Sequence, residues 1–153
     1  MPESVEARHV LQVRAALNEV AAGSVISHAS AAILHGLPLW SVPLDRVHLT
    51  RNRRSGARVS PLIHLHAAGL DVADVVELGG VLVTSAARTV VDLARSLPFD
   101  QAVVVADGTL FLRSVTPAQL RDEVDRARRR TGTPPPAASS PSPMGAARAL
   151  ASR

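Results

Sequence analysis

With 153 residues, 46% of them apolar, the chain fits one ordinary domain that can bury a core, and it leaves no room for a second full domain. It has no cysteine, which excludes disulfides, thiolate catalysis and Cys-ligated zinc. All 17 basic residues are Arg and the net charge is +4, a moderate bias that permits polyanion binding and equally suits a soluble surface.

From Val5 to Ala22 the apolar positions Val10, Val13, Leu17 and Val20 recur every three or four residues, which predicts an amphipathic helix ended by Gly23. Ser27 stands as an N-cap for a short helix over His28 to His35, with Gly36 and Pro38 as its stop. Polar and apolar residues alternate in Arg46 to Thr50 and again in Ile63 to His66, predicting two strands joined by a basic loop. Val75 to Leu78 and Val81 to Thr84 flank Gly79-Gly80, the pattern of a tight hairpin. Thr84 or Ser85 caps a helix over Ala86 to Leu97, which Pro98 stops. The next helix, Phe99 to about Leu112, is apolar on most sides and is expected to lie centrally in the core. Thr116, Pro117 and Gln119 combine an N-cap, a first-position proline and a capping box, opening a last helix to Arg130.

Together these elements predict an α/β fold of the α+β type, a small mixed or antiparallel sheet packed with about five helices. The folded core is placed at residues 1–130, and the Pro/Ser-rich residues 131–153 are expected to be a disordered linker and tail. No apolar run is long enough to cross a bilayer, and the stretch from Met1 to Val10 lacks the pattern of a secretory signal. The expected location is the cytoplasm, with no membrane partner.

Three groups of residues carry candidate chemistry. Arg51, Arg53, Arg54 and Arg58 put four guanidinium groups into eight residues between two strands, where they can lie along a phosphate backbone; the plain alternative is a solvated loop tip. A second basic run, Arg126 and Arg128 to Arg130, sits where a helix C-terminus favours cations without any ligand. The two Phe and one Trp argue against a base-stacking platform.

His48, His64 and His66 lie on neighbouring strands, and the His-x-His spacing puts the last two on one face. Such a set can bind zinc, but neither strand supplies a carboxylate, and a polar sheet face explains the histidines equally simply. His28 and His35, on the short helix, are expected to pack or cap. Asp92 and Asp107 could form an acid–base pair or hold magnesium, yet Arg88 and Arg95 stand one turn either side of Asp92, the spacing of ordinary ion pairs. Phosphate-cradling glycine loops and strained nucleophile elbows are absent, so no enzyme, cofactor or small-molecule substrate is expected.

Three stretches also carry a family resemblance: Ser27-His28-Ala29-Ser30-Ala31-Ala32-Ile33-Leu34-His35-Gly36-Leu37-Pro38-Leu39-Trp40, then Arg46-Val47-His48-Leu49-Thr50-Arg51, then Val83-Thr84-Ser85-Ala86-Ala87-Arg88-Thr89-Val90-Val91-Asp92-Leu93-Ala94. In that order they resemble the AbiEi-like antitoxins of type IV toxin-antitoxin systems, in the actinobacterial form, over about Val10 to Arg130. Relatives of that kind carry a winged helix in front and often a Vsr-like endonuclease domain behind, and this sequence shows neither. The resemblance therefore implies a non-catalytic antitoxin-like or transcriptional regulatory module that contacts double-stranded DNA or a toxin protein. The alternative it leaves open is a truncated accessory domain of a Vsr-like endonuclease.

Overall fold

The computed structural model describes residues 4–20 and 22–130. Among these, five α-helices and a six-stranded mixed sheet make an α+β fold, the class expected from the sequence. The chain divides into two compact units, with the boundary after Glu123. The first holds the whole sheet, and within the described residues the second is only the end of the last helix, with its Arg128 to Arg130 turn. The expected tail over 131–153 lies outside the described residues.

Helix α1 (Val5–Leu17) starts at Ser4, whose side chain accepts the Ala7 N–H, and buries His9, Val13 and Ala16 at helical spacing. It ends at Asn18, short of the expected Ala22, because asparagine competes for backbone hydrogen bonds and is a poor helix former. Strand β1 (Val25–Ile26) follows and was not foreseen: two residues are too few to show an alternating pattern. Helix α2 (His28–His35) and its Gly36 cap, at φ 74°, lie where expected. The Ser27 hydroxyl does not cap it, however, because it is held by Thr50 Oγ1 at 2.7 Å and by His28 Nδ1 at 2.9 Å.

Strands β2 (Val47–Asn52) and β4 (Ile63–Ala68) pair in parallel, from Val47 opposite Ile63 to Asn52 opposite Ala68. A parallel pair cannot close through a tight turn. The segment between them instead carries β3 (Arg58–Val59), which pairs antiparallel with the outer side of β4 and forms the sheet edge. Strands β5 (Val75–Leu78) and β6 (Val81–Thr84) form the expected hairpin, with Gly79 and Gly80 at φ 56° and 82° as a two-residue turn of this kind requires. β1 joins the halves, antiparallel to β2 and parallel to β6, so the order is β3-β4-β2-β1-β6-β5.

On one face of this sheet Ile26, Val47, Leu49, Leu65 and Val83 cluster with Val13 and Ala16 of α1. A second cluster joins Ala29 and Ala32 of α2 to Val90 and Leu93 of α3 (Ala86–Ser96) and Val105 of α4 (Phe99–Phe111). α4 is not the central helix that its composition suggested. Only Val105 and Thr109 are buried, and Phe99 and Phe111 are 84% and 85% exposed. A helix apolar all round still meets neighbours only where the fold puts them, and here Gly108 lets it close on Pro38, where a Cβ would collide. Helix α5 (Pro117–Arg130) opens with the expected reciprocal cap, Thr116 N–H to Gln119 Oε1 at 2.8 Å and Gln119 N–H to Thr116 Oγ1 at 3.1 Å.

A buried polar knot ties α1, α2 and β2. The Ser30 hydroxyl lies 2.8 Å from His9 Nε2 and accepts the His48 backbone N–H at 2.9 Å, while His9 Nδ1 donates to the Leu44 carbonyl at 3.1 Å. Ser30 and His9 are both essentially inaccessible to solvent. Ser30→Ala strips two buried groups of a partner, and it should lower unfolding stability by about 2 kcal/mol. Urea denaturation at neutral pH checks this, and a change below about 0.5 kcal/mol would mean the knot relaxes onto other partners.

Candidate functional site

The four arginines selected from the sequence lie on β2, on the edge strand β3 and in the connection between them, and they are not equivalent. Arg51 stands opposite Ala67 in the β2–β4 pair and Arg58 opposite Leu65 in the β3–β4 pair, so the two point to the same face. Two strand spacings across and two residues along the strands separate them, roughly 12 Å. Arg54 is exposed in the loop between them. Arg53 folds back instead: its Nη2 donates to the Gly56 carbonyl at 2.9 Å, and Gly56 sits at φ 97°, where a Cβ would press on that guanidinium at 3.0 Å. Arg53 therefore shapes the loop that displays the others.

From Arg46 to Leu70 the sequence has five Arg, three His and not one carboxylate, and the three adjacent strands β2, β4 and β3 all fall in this stretch. Among the described residues no carboxylate forms an ion pair with Arg51, Arg53, Arg54 or Arg58, whereas Arg46 and Arg88 are both ion-paired. Arg51, Arg53, Arg54 and Arg58 thus keep their positive charge without an ion-paired carboxylate, whereas Arg46 pairs with Asp45.

The opposite face of the same strands carries the histidines. His48 lies beside His64, and Thr50 beside His66, in the parallel register. His66 is stacked between two other imidazoles, His28 at a centroid distance of 3.7 Å and His64 at 3.9 Å. His48 Nδ1 approaches His66 Nε2 to 2.9 Å. Of the histidines considered for a metal, His48 and His66 offer converging nitrogens, whereas the third member of the tightest group is His28 and not His64: ligand atoms of His28, His48 and His66 all lie within 4.8 Å of one another. The sequence reading missed His28 because the unforeseen β1 is what delivers the start of α2 to the strands. His35 is elsewhere, with Nε2 on the Thr84 carbonyl at 2.8 Å.

Burial is the main reason these imidazoles resist protonation, and the neighbouring imidazoles add to it. His28 is held down to about 2, His66 to about 3 and His48 to about 4, against an ordinary 6.5. Arg46 also disfavours charge on His48, while Asp45 favours it more weakly than burial opposes it. His64 is lowered as well, by burial and then by Arg46. His48, His64 and His66 line a cleft of about 240 Å³ whose wall also includes Asp45, Arg46 and Ser96.

Asp92 takes the ion-pair role expected for it. Arg88 Nε meets Asp92 Oδ1 at 2.9 Å, and Arg88 Nη1 meets Asp74 Oδ2 at 3.1 Å and the Gly69 carbonyl at 2.9 Å. Asp107 is exposed on α4. Neither a family model, nor a curated protein, nor a solved structure matches the chain.

Proposed function

We propose that this chain is a non-catalytic, antitoxin-like regulatory module that contacts the phosphate backbone of double-stranded DNA through Arg51, Arg54 and Arg58. The observation that carries the reading is the acid-free sheet edge, where the strand register aims Arg51 and Arg58 to one side and the Arg53–Gly56 closure holds Arg54 out between them. Guanidinium groups without carboxylate partners are free to form paired hydrogen bonds to phosphate oxygens. With no base-stacking aromatic and no base-reading helix on this edge, such contact is electrostatic and indifferent to sequence. The resemblance to AbiEi-like antitoxins is what lends this surface a regulatory purpose, and an acidic toxin surface is the other partner that it suits.

Fluorescence anisotropy of a labelled random duplex, titrated with the chain at low and at near-physiological salt, tests the reading. The wild type should bind at low salt and weaken steeply as salt rises. Arg51→Ala/Arg54→Ala/Arg58→Ala should bind at least about tenfold more weakly and lose a salt slope of roughly 2 to 3, about one per phosphate contact. Unchanged affinity in the triple variant would remove the assignment. Absence of binding even at low salt would remove DNA altogether and leave the edge to an acidic protein.

A further inference from the structure

We infer that His28, His48 and His66 form a binding site for a divalent transition-metal ion of the Zn2+ class, on the sheet face opposite the arginine edge. The inference is independent of the DNA reading. It stands first on convergence: three imidazoles from three separate elements, the start of α2, β2 and β4, bring their ligand nitrogens within 4.8 Å of one another. Tetrahedral zinc with ligands at about 2.0–2.1 Å asks for nitrogens about 3.3 Å apart. His48 Nδ1 and His66 Nε2, at 2.9 Å, need to open by only a few tenths of an ångström.

The donor set selects the metal. Three neutral nitrogens without thiolate or carboxylate suit Zn2+, Co2+, Ni2+ or Cu2+ and are poor for Mg2+ or Ca2+. One of the two facing nitrogens of His48 and His66 carries the proton of their hydrogen bond. Coordination moves that proton to the other nitrogen of the same ring, so both rings stay neutral and no net proton is released.

His28 Nδ1 lies 2.9 Å from Ser27 Oγ, which in turn accepts from Thr50 Oγ1 at 2.7 Å, and this chain leaves Nε2 of His28 as the nitrogen for the ion. The His28 and His66 rings stack nearly parallel, 12° apart, so their lone pairs converge only when the His28 ring turns out of the stack. His28 is also held at φ 55°, a conformation uncommon for a residue with a Cβ and typical of strained functional positions. His48 and His66 also line the cleft, so two of the three ligands are reached from it.

The test uses the full chain without an affinity tag, stripped with a chelator and titrated with Zn2+ by calorimetry and with Co2+ by visible absorption. One ion per chain is expected, with the intense Co2+ bands of a four-coordinate site. In 15N spectra of the imidazoles, Zn2+ should shift His28, His48 and His66 and leave His9 and His35 in place. Asparagine tolerates a positive φ, so His28→Asn keeps the fold while removing one ligand, and it should weaken Zn2+ binding at least about tenfold. Substoichiometric uptake by the folded wild type, shifts confined to other histidines, or unchanged affinity in folded His28→Asn would each overturn the site.

Discussion

Arg88→Met should destabilise the domain by about 3–5 kcal/mol, the largest effect expected of any single substitution here. Arg88 is 2% exposed, Asp74 is fully buried and Asp92 is 9% exposed, so neither carboxylate is placed to turn to water when the cation goes. The loss is not the worth of two ion pairs. It is chiefly the penalty of leaving buried negative charge without its counter-ion, together with the Gly69 carbonyl that Arg88 Nη1 also serves. Three chain segments meet at this one side chain. Asp74 also accepts the Asp71 N–H through its carboxylate and the Ser85 N–H through its carbonyl, which places the start of α3. Urea denaturation of Arg88→Met at neutral pH gives the number. In the triple variant Arg88→Met/Asp74→Asn/Asp92→Asn the buried charge is gone, and a good part of the stability should return. A single-variant loss under about 1 kcal/mol would show that the carboxylates reach water after all.

The second large effect is acid sensitivity. In a chelator-containing buffer, stability should be level above about pH 7 and fall steadily as the pH drops through 6 and 5. The folded chain keeps His28, His48 and His66 neutral down to about 2, 4 and 3, whereas in the unfolded chain they take up protons around 6.5. Below 6.5 the unfolded state therefore binds more protons, and each fully responding histidine removes about 1.4 kcal/mol per pH unit. His28 and His48 are the two most shielded, and together they give a slope approaching about 3 kcal/mol per pH unit until His48 itself protonates near 4. His66, the least buried of the three, adds less than its full share. Denaturation curves at pH 7.5, 6.5 and 5.5 would show the slope, on the order of a few kcal/mol over that range. A flat profile would mean the rings separate and solvate on protonation without loosening the fold. Replacing His28 and His66 by Asn should leave the slope of His48 alone, about 1.4 kcal/mol per pH unit.

These two sites were legible from the sequence to different degrees. The Arg88–Asp92 pair followed from i,i+4 spacing on a helix that its cap and its proline stop delimited, and local rules suffice for a contact within one helix. Asp74 was not foreseen as the second partner, because it lies 14 residues away and comes near only when the 3-10 turn Val72–Asp74 folds beneath α3. For the histidines, alternation put His64 and His66 on one face. It could not say that β2 and β4 run parallel, which sets His48 beside His64 and aligns His66 with Thr50.

What the sequence determined by itself was local: α2, α5, the Gly79-Gly80 hairpin and the general α+β class, each written in caps, turn residues and hydrophobic period within a few residues. The tertiary structure decided what local pattern cannot carry. It set the strand order, and it placed the two-residue β1 whose pairing with β2 and β6 joins the halves of the sheet. It left α4 peripheral despite its apolar composition, since burial depends on neighbours as well as on hydrophobicity. It also brought His28 against His66, 38 residues along the chain, because packing a helix start over two parallel strands joins residues that no periodicity relates.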